Sequence, residues 1–264
     1  MLATYREYAE TLTDAGIATP QVTAGFDRPY YYDLDLAAFV DLARTGRSWN
    51  DLGIGAHGSR NGNTVLAQTT DVCVANSAAT YLGLVSYLTH GGVPATEQEA
   101  VELAGRIAPL LREQGLPTRG PETLYFVPEG REIVPVIVIY EHQYLAHQLR
   151  HRAEHGELDH DRVLLYPNSV FQSEPTLVAL TPEADRLGAL LGTDPGLRRR
   201  ALELGYRVLD PSREDSSEEM WQFLAERAIP EPSSGASDTR ALLPSVPLLE
   251  TMISVVGGCP QVGP

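Results

Sequence analysis

The sequence of 264 residues predicts an α/β fold, on the strength of two observations. Runs of β-branched residues, of which "EIVPVIVIY" is the clearest, alternate with helical patterns of about ten residues or more. This alternation is typical of a largely parallel sheet covered by helices. The hydrophobic content of 43% is sufficient for a large core.

The first quarter of the chain predicts strands and helices in close succession. "MLATY" predicts a short strand that runs directly into the helix "REYAETLTDAG", which Gly16 ends. A loop containing three consecutive tyrosines precedes the helix "DLDLAAFVDLARTG", with Gly46 as its C-cap. "NTVLAQ", from Asn63, predicts a short buried strand.

Two longer helices follow in the sequence. "NSAATYLGLVSYLTHGG" predicts an amphipathic helix with Asn76 or Ser77 as its N-cap. "TEQEAVELAGRIAPLLREQG" opens with a capping-box pattern, because Thr96 is followed three residues later by Glu99.

The remaining segments continue the alternation and then change in composition. "EIVPVIVIY" predicts a strand, a helix from Glu141 to about His155 follows, and "RVLLYP" and "PTLVAL" predict two more strands. "TPEADRLGALLG", "DPGLRRRALELG" and "SSEEMWQFLAERA" predict short helices, and "PEPSSGASD" has the composition of a linker. We expect the apolar run near the C-terminus either to pack back on the body or to be partly disordered.

Charge and lysine content exclude several classes of function. The formal net charge of -15 disfavours binding to nucleic acid and to anionic membrane surfaces. All 20 basic residues are arginine, so lysine-dependent chemistry is excluded. This removes pyridoxal phosphate enzymes, Walker A nucleotide hydrolases and protein kinases.

The two cysteines and the apolar runs do not determine the cellular compartment of the protein. Cys73 and Cys259 form no zinc-binding or CxxC pattern, and the sequence leaves open whether they pair. No apolar run approaches the roughly 18 residues of a membrane span, and the chain does not begin with a signal-peptide pattern.

Histidines on one helix offer a first candidate site. His147, His151 and His155 are spaced four residues apart, which places them along one helix face where two imidazoles can chelate zinc. Arg150 and Arg152 are interleaved with them, and cations beside the ligands weaken metal binding. A solvated polar helix face is therefore favoured, and a metal-dependent hydrolase remains the alternative.

A second candidate site lies in "QTTDVCVANSAATYLG". A polar turn before a helix N-terminus offers unpaired backbone N–H groups and the positive end of the helix dipole. Thr69, Thr70, Asn76 and Ser77 add side-chain donors without charge to this potential anion site. The competing interpretation is that Asn76 or Ser77 only caps the helix, which stabilises it by about 1 kcal/mol.

Two further motifs carry less functional information. "GAHGSRNGN" lacks the lysine of a phosphate loop and precedes a strand instead of a helix, so a surface turn is predicted. The run Arg198, Arg199 and Arg200 falls on a predicted helix, where its members point in different directions and form a solvated face.

The order of these motifs resembles the type II periplasmic solute-binding protein family. "RSWNDL", "TTDVCVANSAATYLGLV" and "VIVIYEHQYLAHQL" are similar to segments of the family's second lobe. "VLLYPNSVFQSEPTLVALT" and "LGTDPGLRRRALELGYRVLD" are similar to the return crossing and a terminal helix, so the resemblance spans residues 2–210. It implies a type II periplasmic-binding-protein-like α/β fold with one complete lobe and part of a second.

The resemblance also implies a domain division and a function. Residues 1–168 correspond to the second lobe, 169–211 to the return segment and helices of the first lobe, and 212–264 to a Ser/Pro/Gly-rich tail with one or two short helices. Such a protein captures a small polar or anionic ligand non-covalently between its lobes, without a cofactor. The matching ligand-binding positions are Thr70, Asn76, Ser77, Tyr140 and Glu141.

Partners and localisation are expectations of the same kind. The family's first lobe normally begins with a strand-helix-strand unit that has no counterpart in this sequence, so residues 170–210 are expected to expose apolar surface. That surface would suit a lobe-completing chain, and a membrane transporter is the other implied partner. The family is extracytoplasmic. An interaction domain that binds no small ligand is a further alternative.

Overall fold

A five-stranded mixed sheet forms the centre of the computed structural model, which describes residues 1–113, 120–170, 177–208, 218–232 and 239–259. Its strands lie in the order β2-β3-β5-β1-β4. They span Leu2–Tyr5 (β1), Ala18–Pro20 (β2), Tyr31–Leu34 (β3), Val136–Val138 (β4) and Arg162–Pro167 (β5). A separate parallel pair consists of Ser169–Val170 (β6) and Thr239–Arg240 (β7).

The helices follow the predicted order closely. In the first half they span Arg6–Asp14 (α1), Leu36–Arg44 (α2), a 3-10 helix at Ile54–His57, Asn76–His90 (α3) and Glu97–Arg112 (α4). In the second half they span Glu122–Tyr125 (α5), Gly130–Ile133 (α6), Glu141–His155 (α7), Pro182–Thr193 (α8), Pro195–Glu203 (α9), Glu218–Ala225 (α10) and Val246–Gly257 (α11). None of these helices is both long and apolar enough to cross a membrane.

The first strand gives the sheet its mixed character. β1 lies between β5 and β4 and runs antiparallel to both, with Leu2 opposite Leu165 and Val138. The prediction of a largely parallel sheet is therefore wrong, since only β3 and β5 pair in parallel among the five strands. All four residues of β1 are buried, which shows that helices and loops cover both faces of the sheet at its centre.

Several local predictions are confirmed by the structure. β1 runs directly into α1, α7 spans Glu141–His155, and β5 spans Arg162–Pro167. The Thr96 hydroxyl accepts a hydrogen bond from the Glu99 backbone N–H, as the capping pattern predicts. Gly16 and Gly46 adopt the left-handed backbone conformation just after the ends of α1 and α2.

Other local predictions are wrong for physical reasons. "NTVLAQ" does not form a continuous strand. Instead it makes two isolated bridges, from Thr64 to Ser48 and from Gln68 to Ile137. "EIVPVIVIY" yields only the three residues of β4, since Pro135 lacks a donor and the residues before it form α6. The described residues 177–180 of "PTLVAL" form no strand, and the tyrosine loop is partly β3.

The cap predicted for α3 is also absent. The helix begins at Asn76, after Ala75, and no side chain caps it. The turn before it is organised instead by Asp71, whose backbone oxygen accepts from Val74 and Ala75. Asn76 and Ser77 therefore lie in the first turn, where their own side chains are not used for capping.

The C-terminal helix packs back on the body, which is the first of the two alternatives that the sequence left open. α11 contacts α4 and α3, and its Met252 and Val256 are fully buried. The Arg112 Nε atom donates to the Val256 carbonyl oxygen at 2.7 Å. A disulfide between Cys73 and Cys259 connects the end of α11 to the loop before α3, which resolves the pairing that the sequence left open.

The segment around α8 and α9 remains largely unburied. α8 has no buried residue, and α9 buries only Leu202. Large apolar side chains that are at least partly exposed include Leu177, Val178, Leu180, Leu187, Leu190 and Leu191. This matches the expected exposure of apolar surface in residues 170–210, as far as the described residues 177–208 show it.

Gly205, near the end of this segment, packs closely against α7. Its φ is +80°, and a Cβ atom at this position would lie 2.2 Å from the His142 carbonyl oxygen. We expect Gly205→Ala to lower the free energy of unfolding by about 1–3 kcal/mol. Alanine is strained in the left-handed backbone conformation at this position, and its Cβ atom would clash with the His142 carbonyl oxygen. Chemical denaturation measures this change.

Gly192→Ala in α8 is the matched control for this prediction. A Cβ atom there meets nothing within 4 Å, so the variant is expected to be neutral or to gain up to about 1 kcal/mol. If the Gly205→Ala variant were as stable as the Gly192→Ala variant, the assigned contact with α7 would be wrong.

Candidate functional site

A cavity of about 190 Å³ opens where the carboxyl ends of β4 and β5 meet the start of β1. In α/β sheets ligands commonly bind outside the carboxyl ends of the strands. Three of the five predicted ligand-binding residues, Thr70, Ser77 and Tyr140, line this cavity. Its other lining residues are Met1, Leu2, Thr80, Tyr81, Leu84, Gly120, Pro121, Glu122, Val138, Ile139, Gln143 and Pro167.

The first turns of α3 form one wall of the cavity. Ser77, Thr80, Tyr81 and Leu84 recur at helical spacing, so they share one face of α3. The Thr80 hydroxyl donates to the Asn76 carbonyl oxygen at 2.9 Å. The hydroxyls of Thr70 and Ser77, by contrast, have no hydrogen-bond partner among the described residues, so both are available to a ligand.

The start of α7 forms a second wall. Tyr140 precedes the helix, and Gln143 lies in its first turn. The Gln143 side-chain oxygen accepts from the Tyr140 backbone N–H at 3.0 Å, which fixes the amide and leaves its NH2 group to donate elsewhere. The N-termini of two 15-residue helices, α3 and α7, therefore flank one cavity, and their dipoles favour partial negative charge there.

The lining carries little formal charge. Among the residues that the structure describes, Glu122 is the only acidic residue that lines the cavity, and no arginine or histidine does so. Burial raises the pKa of Tyr81, so its hydroxyl stays protonated at neutral pH. Hydroxyl, amide and helix N-terminal donors thus dominate, and they suit carbonyl or hydroxyl oxygens of an uncharged ligand better than a fully charged anion.

Three aromatic rings form a stack that begins at the cavity. The His142 ring lies between Tyr140, at 5.6 Å between centroids, and Tyr206, at 4.1 Å. Burial lowers the pKa of His142, so the ring is neutral at physiological pH. Tyr140 and Tyr206 are each nearly half exposed, which leaves a flat aromatic surface beside the cavity.

The two other predicted binding residues do not line the cavity. The Asn76 residue is exposed at the start of α3. The Glu141 carboxylate accepts a hydrogen bond from the Tyr166 hydroxyl at 2.6 Å and two from the Arg207 guanidinium, at 2.6 and 2.7 Å. In this arrangement Glu141 fixes the beginning of α7 to the segment after α9, so it positions the cavity wall.

The histidine-rich face of α7 has a structural explanation. The His147 Nε2 atom lies 2.6 Å from Asp159, and the Nδ1 atoms of His151 and His155 contact backbone carbonyl oxygens. Across the described part of the chain, no group of three potential metal-ligating residues is placed to hold an ion. The hydrolase alternative therefore gains no support from the geometry.

Four polar residues of the cavity lining were not predicted from the sequence. Thr80 and Tyr81 follow Ser77 at helical spacing, so projecting α3 onto a helix would have found them. Gln143 occupies the third position of α7, where a side chain reaches back to the helix start. Glu122 is the first residue of the short helix α5, and no local pattern marks it.

The comparisons with known proteins give no further guide. No family model matches this chain, and no curated protein or solved structure matches it significantly.

Proposed function

We propose that this protein captures a small, uncharged polar molecule non-covalently, in the manner of a solute-binding protein. The observation that carries the proposal is the meeting of Thr70, Ser77 and Tyr140 at one cavity between the N-termini of α3 and α7. Two of these residues supply hydroxyls, and Tyr140 supplies an aromatic ring.

The size of the cavity limits the ligand. An apolar cavity of about 150 Å³ holds a benzene molecule. A cavity of about 190 Å³ therefore suits a compact molecule such as a polyol, a small amide or a monosaccharide. The ring stack from Tyr140 to Tyr206 would add contact area for a ligand that extends beyond the opening.

The proposal narrows the ligand class implied by the family resemblance. Both polar and anionic ligands are compatible with that resemblance. Glu122 would repel an anion, and no basic side chain in the described part of the lining compensates for it. A neutral ligand, held by hydrogen bonds in which the protein is mainly the donor, fits these residues best.

A second chain is part of the proposal. In two-lobed binding proteins the ligand is enclosed when a hinge closes one lobe over the other. The exposed leucines of α8, which include Leu187, Leu190 and Leu191, support the proposal that a second chain completes the first lobe. A membrane transporter would then be the partner of the assembled, ligand-loaded form.

An extracytoplasmic location is proposed on chemical grounds. Disulfides persist in oxidising compartments and are rare in the reducing cytosol of most organisms. The Cys73–Cys259 bridge is part of this structure and connects the two ends of a 186-residue interval. It supports the location that the family resemblance implies.

Removing the two free hydroxyls tests the proposed binding mode. A panel of polyols, monosaccharides, small amides and dipeptides is screened by thermal shift, with phosphate and sulfate as anionic comparators, and hits are titrated by calorimetry. We expect the Thr70→Val/Ser77→Ala variant to bind roughly 5- to 150-fold more weakly, since each lost hydrogen bond is worth about 0.5–1.5 kcal/mol.

The Thr13→Val/Ser254→Ala variant is the matched control, because it removes the same groups at positions outside the cavity lining. Its affinity should equal that of the wild type. Equal affinity of the Thr70→Val/Ser77→Ala variant, or preference for phosphate over every neutral compound, would refute the proposal. A stable protein that responds to no compound would favour an interaction domain instead.

A further inference from the structure

A second cavity, of about 490 Å³, lies between α7, α9 and α10. It shares no lining residue with the cavity at the start of α3 and α7. Helix α7 contributes Leu149, Arg150, Arg152 and Ala153, α9 contributes Arg200 and Glu203, and the end of α10 contributes Phe223 and the segment 226–229. We call this cavity the arginine groove.

The arginine groove concentrates positive charge on a strongly acidic protein. Four arginines and two glutamates line it, whereas the whole chain has a formal net charge of -15. Such a local reversal of charge attracts anions that the rest of the surface repels. Arginine also contributes planar sets of donors that match carboxylate and phosphate oxygens.

Ion pairs within the groove neutralise only two of its arginines. Arg200 lies 3.2 Å from Glu203, and Arg227 lies 3.3 Å from Glu226. Over the described ranges, Arg150 and Arg152 have neither an ion pair nor a side-chain hydrogen bond. Two guanidinium groups therefore face the groove with their donors unused.

The floor of the groove is apolar. Phe223 is 6% exposed and Ile229 is 3% exposed, and Leu149 packs against the hydrophobic core. The Arg227 guanidinium carbon lies 3.5 Å above the centre of the Phe223 ring, so this arginine is already held against an aromatic face. A ligand that combines a flat apolar body with an anionic group would match both features.

We propose that the arginine groove is a binding site for a small organic anion, with Arg150 and Arg152 binding its carboxylate or phosphate and the floor of Leu149, Phe223 and Ile229 binding its apolar body. The site is independent of the proposed capture of a neutral ligand, since the two cavities have no residue in common. The site in the arginine groove is therefore proposed whether or not the first proposal holds.

Phenyl phosphate is a suitable probe because it combines an aromatic ring with a phosphate group. Its affinity for the full chain is measured by titration calorimetry at low ionic strength, together with phenol, which lacks the charge, and inorganic phosphate, which lacks the ring. We expect phenyl phosphate to bind at least tenfold more tightly than either fragment. Its affinity should fall as salt is added, because exposed charges are screened.

Arg150→Gln/Arg152→Gln is the decisive variant. It keeps good helix formers in α7 while it removes both unpaired charges, and we expect the dissociation constant for phenyl phosphate to rise at least tenfold. The Arg106→Gln/Arg186→Gln variant changes the net charge equally at two exposed helix positions outside the groove. Its affinity should stay within twofold of the wild type.

Three results would overturn the proposal. They are an unchanged affinity for phenyl phosphate in the Arg150→Gln/Arg152→Gln variant, an equal loss of affinity in both double variants, and no binding of phenyl phosphate at millimolar concentration. An equal loss of affinity in both double variants would show that binding depends only on the overall charge of the protein. Circular dichroism and thermal melting of the variants separate loss of binding from loss of folding.

Discussion

Replacing both cysteines, as Cys73→Ser/Cys259→Ser, is expected to lower the free energy of unfolding by about 5 kcal/mol. The bridge closes an interval of 186 residues, and a loop of this length greatly restricts the unfolded chain. The melting temperature should fall by roughly 10–20 °C. Denaturant titration of the oxidised wild type and the variant measures the difference.

Reduction of the wild-type protein is the matching experiment. It should bring the unfolding curve of the wild type to that of the Cys73→Ser/Cys259→Ser variant, while the reductant leaves the variant unchanged. Part of the remaining stability comes from contacts that do not depend on the bridge, such as the bond between Arg112 and Val256. If the variant unfolds at the same denaturant concentration as the oxidised wild type, the assigned stabilising role is contradicted.

Asp159→Asn is expected to lower the free energy of unfolding by about 3–5 kcal/mol at neutral pH. The buried Asp159 carboxylate lies 2.6 Å from His147 Nε2 and 2.8 Å from an Arg162 Nη1 atom. The variant leaves the Arg162 charge largely buried without its counter-ion, and this accounts for the cost. Urea denaturation at pH 7 measures it, with the exposed Asp41→Asn as a charge-matched control.

The same carboxylate makes stability depend on pH. Burial alone would raise the pKa of Asp159, but hydrogen bonds from His147 and Arg162 outweigh burial and hold that pKa well below the ordinary value of 3.8. The stabilisation is thus complete above pH 3.8 and is lost as the pH falls below that value towards the folded-state pKa. The difference between wild type and Asp159→Asn should shrink over this range, and a constant difference down to pH 3 would contradict the assignment.

Local sequence patterns were sufficient to predict most helices, but they could not give strand directions. The limits of α7 and the cap of α4 at Thr96 follow from spacing and side-chain chemistry within a few residues. The antiparallel placement of β1 depends instead on pairing between Leu2 and residues more than 130 positions away, Val138 and Leu165. No local signal contains such pairing, so the sheet was expected to be more parallel than it is.

Only part of the candidate site could be predicted, again because local sequence does not show which distant segments come into contact. Ser77 was predicted because helix starts have recognisable chemistry, and Tyr140 because of the family resemblance; both line the cavity. Glu141 was predicted from the same resemblance, but its carboxylate is bound by Tyr166 and Arg207. Whether a polar side chain faces a ligand or a neighbouring residue depends on segments that are distant in sequence, such as Arg207 for Glu141.

The Cys73–Cys259 bridge also determines how the protein responds to mechanical force. When the chain is pulled from points outside the bridge, the 186-residue interval it spans stays out of the path of tension, which hides roughly 600 Å of contour length. The segment that can be extended includes β1, the central strand between β5 and β4. The first event under load would therefore be the withdrawal of β1 and the opening of the cavity that Leu2 lines, while the rest of the oxidised molecule remains a closed loop.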